Sequence, residues 1–177
     1  MAPARIPRLM LAGCALLTAA ACGVPAQAGD AAAFQAAPTT QGASAPSGDL
    51  KFGVAHTFAD GVSLTVSTPK SIQPSATAYP ASERAAAFDI AVTNSGSVPY
   101  RLSGFSAIAT IGGSQAIQVV DSTQGYNGII DAGKDITPGK TVRLSLAFAV
   151  PPQPAVLKLV LRPSTESPAA VTYCGSV

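Results

Sequence analysis

Val142-Arg143-Leu144-Ser145-Leu146-Ala147-Phe148-Ala149-Val150 decides the fold, because large apolar side chains fill the even positions while Arg143 and Ser145 stand between them. A period of two belongs to a strand with one face toward a core and the other toward water; a helix would repeat its apolar positions every three to four residues. Upstream, Val62, Leu64 and Val66 interleave with Ser63, Thr65 and Ser67, and Phe88, Ile90 and Val92 with Asp89, Ala91 and Thr93. Further strands are expected over Lys51 to Phe58, Tyr100 to Ile111 with a break near Ser103-Gly104, Gln115 to Val120, Val156 to Leu161 and Val171 to Cys174.

The residues between these runs are turn formers. Ala59-Asp60-Gly61, Asn94-Ser95-Gly96-Ser97, Gly112-Gly113 and Thr137-Pro138-Gly139-Lys140 each supply a positive φ or a proline φ. Pro138-Gly139 suits the centre of a type II turn, and Asn94-Ser95-Gly96 suits a tight reversal. The 128 residues from Leu50 to Val177 are enough for one domain with one core, and short strands separated by turns read as a sandwich or a barrel. Tyr79 to Ala87 is expected to be loop. Pro69 to Arg84 and Asp121 to Asp135 are the two long connections, where an all-β scaffold usually carries its function.

The N-terminus reads as an export signal over residues 1–21. Arg5 and Arg8 precede an apolar run of 13 residues, Leu9 to Ala21, too short to span a bilayer that needs about 20. Ala19-Ala20-Ala21-Cys22-Gly23 looks like a bacterial lipobox, which makes Cys22 the lipidated first residue of the mature chain. Leu11-Ala12-Gly13-Cys14 matches the lipobox consensus better residue by residue, with leucine three places before the cysteine, but cleavage there would leave only Leu9 to Gly13 as the apolar region. Ordinary cleavage at Ala26-Gln27-Ala28 is the third alternative, and all three export the protein. Residues 22–49, rich in Ala, Gln, Ser, Thr, Pro and Gly, are expected to be a disordered tether with a reach of about 29 Å. The expected location is the outer face of the cytoplasmic membrane.

Composition and charge exclude most chemistries. Loss of Arg5 and Arg8 from 11 basic residues leaves nine against nine acidic ones, scattered singly, so no nucleic-acid partner is implied. His56 is the sole histidine and both methionines, Met1 and Met10, lie in the signal, so no His- or Met-based metal site is expected. The nearest approach to a nucleophile elbow, Gly112-Gly113-Ser114-Gln115-Ala116, lacks its second glycine and runs into strand rather than helix. Asp121, Asn127, Asp131 and Asp135 are calcium-type ligands, but their spacing differs from an EF-hand loop of about 12 residues. No catalytic residue, cofactor or metal is therefore assigned. Tyr126, Ile129 and Ile130 are expected to fold back onto the sandwich. Cys174, left unpaired if Cys22 is acylated, is expected to be buried on a last strand, with an intermolecular link as its other use.

Taken in order, Phe58-Ala59-Asp60-Gly61-Val62, Phe88-Asp89-Ile90-Ala91-Val92-Thr93-Asn94-Ser95-Gly96, Pro99-Tyr100-Arg101-Leu102 with Phe105, and Thr137-Pro138-Gly139-Lys140-Thr141 leading through Phe148 to Val150-Pro151 form a pattern. It resembles the telokin-like, immunoglobulin-fold domains of unknown function found on Gram-positive, notably actinobacterial, lipoproteins. That resemblance covers roughly residues 50–161. It implies an antiparallel immunoglobulin-like β-sandwich of about seven to nine strands and no transferable reaction. The expectation is a membrane-anchored, non-enzymatic domain for binding or envelope interaction with an unidentified partner. A small-molecule carrier, with a ligand in or at the end of the sandwich, is the alternative.

Overall fold

A strand that buries one face still has to satisfy its backbone N–H and C=O groups, and it does so by pairing edgewise with other strands. The computed structural model describes residues 48–130 and 132–177. The export signal, Cys22 and all but the last two residues of the 22–49 segment lie outside the described residues.

Among the described residues the strands are β1 (Leu50–Lys51), β2 (Ala55–Thr57), β3 (Val62–Val66), β4 (Lys70–Ile72), β5 (Ala85–Asn94), β6 (Tyr100–Arg101) and β7 (Ser106–Ile111). β8 (Ser114–Ala116), β9 (Gln118–Val119), β10 (Asp135–Ile136), β11 (Thr141–Ala149), β12 (Val156–Arg162) and β13 (Val171–Ser176) follow. One sheet has the order β2-β3-β5-β11-β9, with β4 also on β5; the other has the order β1-β13-β12-β7-β8, and β6 pairs with β10 in a short separate ladder. With β3, β5, β7, β9, β11, β12 and β13 taken as strands A to G, the sheets are A-B-E-D and C-F-G. That is the immunoglobulin constant-type order. Six of these seven strands have five residues or more, and β9, with two, completes the order.

The expected faces are observed. In the β5–β11 ladder Val142 lies opposite Val92, Leu144 opposite Ile90 and Leu146 opposite Phe88, all pointing at the facing sheet. Leu64, Ile90, Leu146, Leu159 and Tyr173 are each 0 % exposed, and burying a large apolar side chain contributes about 1.5–3 kcal/mol. The Pro138-Gly139 turn also forms as expected, with Gly139 at φ 77° and Lys140 N–H donating to the Thr137 carbonyl at 3.1 Å.

Two runs read as single strands are divided between the sheets. Lys51 to Phe58 breaks at Phe52-Gly53, so that β1 joins β13 and β2 joins β3. Gly53 makes the crossover possible, since at φ 91° a side chain would strain the backbone while its N–H reaches the Val66 carbonyl at 2.7 Å. Gln115 to Val120 likewise divides at Ile117 into β8 and β9. β1 runs parallel to β13, whereas the other strand pairs among the described residues are antiparallel.

Ala85 to Ala87, expected as loop, extends β5. Alanine has little strand preference of its own, but β4 pairs there on one side and β11 on the other. Ala85, Ala87, Ala147 and Val119 then form a second small cluster on the outer face of the sheet, covered by Ala78 and Tyr126 from the two long connections.

Candidate functional site

Asn94 sits at the last inward position of β5, where the period that buries Phe88, Ile90 and Val92 would place another apolar residue. It is 1 % exposed, and a buried amide is costly unless its donors and acceptor are all met. Nδ2 donates to the carbonyls of Ile136 at 2.7 Å and Val98 at 2.8 Å, and Oδ1 accepts from Gly96 N–H at 2.9 Å. The backbone of Asn94 donates to the Lys140 carbonyl at 2.9 Å and accepts from Gly139 N–H at 2.7 Å. One residue thereby fastens the 95–99 loop to the end of β10 and the 137–140 turn at one end of the sandwich. The expected tight reversal at Asn94-Ser95-Gly96 is replaced by this side-chain knot, because the chain must travel on to β6 rather than return along β5. Gly61 and Gly96 cross within it so closely that a Cβ on Gly61 would lie 2.7 Å from the Gly96 Cα.

Two adjoining clefts open beside the knot. The larger, of about 450 Å³, is lined by Arg101, Ser103, Asp135, Ser164, Thr165 and Glu166 among others. The smaller, of about 230 Å³, is walled by Val62, Val98 and Tyr100, with Asp60 at its margin. Pro99, Arg101 and Ser164 belong to both. The β6–β10 ladder sets Arg101 opposite Asp135, with Nε 3.8 Å from Oδ1 and the side chains 80 % and 49 % exposed. Such a solvated pair contributes about 0–1 kcal/mol and opens readily. Tyr100 is a fixed wall, its hydroxyl donating to the Pro163 carbonyl. Burial, and then the Asp60 charge, pushes the phenol up to about 12, so it stays a neutral donor at physiological pH. The arrangement suits recognition: charges of both signs stand beside an apolar wall.

The residues singled out in the sequence are not brought together. Cys22 and Asp131 lie outside the described residues. His56 is on edge strand β2, its ring 4.5 Å from Phe58 in an edge-on contact, and burial lowers its pKa. Ser114 begins β8, at the far edge of the other sheet. Asp121 is 1 % exposed and accepts from Ser75 N–H at 2.7 Å, Ser75 Oγ at 2.8 Å and Thr123 Oγ1 at 2.6 Å, whereas Asp135 faces Arg101. Asn127 is half-buried between them in sequence. Among the described residues no three His, Cys, Asp or Glu side chains gather as a metal site. Tyr126 packs on the second cluster and Ile129 on the main core, but Ile130 stays 71 % exposed. Cys174 is half-buried instead of buried: β13 alternates, Tyr173 takes the inward place, and Cys174 faces outward between Lys51 and Lys158.

Solved structures share the fold. The chain is similar to a putative lipoprotein of Bacillus subtilis, ycdA, at 19 % identity and a TM-score of 0.53, over 66 % of this chain and 36 % of that one. It is also similar to the yjhA protein of Bacillus subtilis, at 16 % identity and a TM-score of 0.51, over 71 % of this chain and 97 % of that one. The chain thus spans about a third of the length of ycdA. Neither a family model nor a curated protein matches it. At these identities the shared property is the β-sandwich.

A ligand site at the end of the sandwich is the alternative expectation and Asp135 one of the residues singled out, but the sequence does not mark Arg101 and Glu166 as lining the clefts. Their one legible trace is an asparagine where the period of β5 demands an apolar residue, which marks a buried polar knot and hence a built loop cluster.

Proposed function

We propose that the chain is an exported lipoprotein, anchored through Cys22 to the outer face of the cytoplasmic membrane, whose sandwich is a non-enzymatic binding domain of the cell envelope. The loop end fastened by Asn94, with its two clefts, carries this reading: binding loops on a rigid scaffold need little ordering when a partner arrives. The space between the sheets is filled by side chains such as Leu64, Leu146 and Tyr173, which favours recognition at the end of the sandwich over a ligand held between the sheets. His56 and Ser114 stand on opposite edges of different sheets, and acyl transfer needs nucleophile and base within hydrogen-bond reach. The resemblance of the motif order to telokin-like lipoprotein domains, and the likeness in fold to ycdA, support the same assignment.

Cell fractionation tests the anchor. A diacylglyceryl group supplies two chains, enough for stable attachment. The wild-type protein is expected in the membrane fraction, and Cys22→Ser in the medium or as unprocessed precursor. Wild-type protein in the medium with an N-terminus at or beyond Asp30 would overturn the lipoprotein reading.

A further inference from the structure

We propose that the paired clefts bind a small amphoteric molecule of the free amino-acid class, with Arg101 taking its carboxylate, Asp135 and Glu166 its ammonium group, and Val98 and Pro99 its apolar side group. The inference rests on the binding-domain reading and assigns that domain its ligand chemistry.

The charges argue for a ligand of both signs. Arg101 and Asp135 are held face to face by the β6–β10 ladder, yet their 3.8 Å separation exceeds the roughly 2.7–3.2 Å of a hydrogen-bonded contact. Each therefore keeps donors or acceptors for a third party. Glu166 lines the same cleft and adds a second carboxylate to it, and its N–H donates to Ser164 Oγ at 3.1 Å, which fixes the turn. A simple anion would sit against two carboxylates, and a simple cation against the guanidinium. A molecule carrying a carboxylate beside an ammonium matches both, and the cost of the wrong juxtaposition supplies selectivity.

The smaller cleft adds the apolar contact. Arg101 lies on the boundary of both clefts, so a group held by its guanidinium leaves the rest of the molecule over Pro99 and Val98. Val98 is 67 % exposed, and its carbonyl is pinned by Asn94. Cover of that side chain by a ligand removes apolar surface from water, and the pinned backbone spares the cost of ordering the loop.

Calorimetric titration of the purified full-length protein in detergent tests the assignment. The probes are L-leucine, L-leucinamide, which lacks the carboxylate, N-acetyl-L-leucine, which lacks the ammonium group, and L-alanine, which lacks most of the apolar group. Saturable binding of L-leucine is expected, weakened by about tenfold or more in each altered probe and in Arg101→Gln and Asp135→Asn. Both substitutions are at exposed positions, so melting temperatures should match the wild type. Absence of saturable L-leucine binding, or equal binding of L-leucine and its blocked forms, would overturn the ligand class. The double variant is also to be compared with wild type in partner cross-linking on intact cells. Lost cross-linking without leucine binding leaves the binding-domain reading standing and removes the amino-acid ligand; unchanged cross-linking without leucine binding removes this end of the sandwich from both.

Discussion

Asp121 shows how one residue's environment decides its use. It belongs to the calcium-type series Asp121, Asn127, Asp131 and Asp135, but its oxygens are occupied by Ser75 and Thr123, and they tie the turn at 121–126 to the loop at 75–79. The Ser75 backbone N–H foremost, then the Thr123 hydroxyl, holds its carboxyl down to about 2, against about 3.9 in an unfolded chain. A lowered folded pKa means that the unfolded state binds the proton first as pH falls. The stabilisation is therefore complete above about pH 4 and lost toward pH 2. Urea unfolding across this window should show wild-type stability falling with pH, and Asp121→Asn less stable at pH 7 with a shallower acid slope. Parallel pH profiles for the two proteins would refute the role.

At the scale of the element, β11 is the strand whose sequence says most and whose structure departs from it least. Leu146 is 0 % exposed and lies opposite Phe88, so Leu146→Ala should cost about 2–5 kcal/mol, the transfer of the side chain plus the cavity left behind. Arg143 faces solvent on the same strand, and Arg143→Ala should stay within about 0.5 kcal/mol. Ser145 is not the neutral position its polarity suggests. Its hydroxyl donates to Asp89 Oδ1 at 2.9 Å, and Ser145→Ala should cost about 1 kcal/mol. Chemical denaturation that failed to rank the three in this order would place the strand in the wrong register. β5 was legible only from Phe88 onward: its first turn of chain is alanine, whose strand conformation comes from β4 and β11 rather than from its own side chains.

Across the whole molecule, Tyr173 joins the two sheets. It points inward from β13, 0 % exposed, and shares its one proton between the carbonyls of Val54 at 3.0 Å and Leu64 at 3.1 Å, the crossover segment and the opposite sheet. Burial pushes its pKa up to about 12. A phenol in the unfolded chain ionises near 10, so this contribution is intact below about pH 10 and fades as pH rises toward 12. Tyr173→Phe should lose about 0.5–1.5 kcal/mol near neutrality and show a weaker decline in melting temperature between pH 10 and 12; an undiminished decline would show that another group governs alkaline unfolding. The sequence by itself determined the alternating strands such as β3, β11 and β12, which face of each is inward, and where turns such as Pro138-Gly139 fall, because periodicity and turn chemistry act over a few neighbouring residues; β4 and the alanine start of β5 it did not. Only the tertiary structure decided that Lys51 to Phe58 and Gln115 to Val120 each serve both sheets, and that Arg101, Asp135 and Glu166 line one cleft. Backbone pairing is nearly indifferent to side chains, so an alternating run names its buried face and leaves its partner strand to the packing of the whole chain.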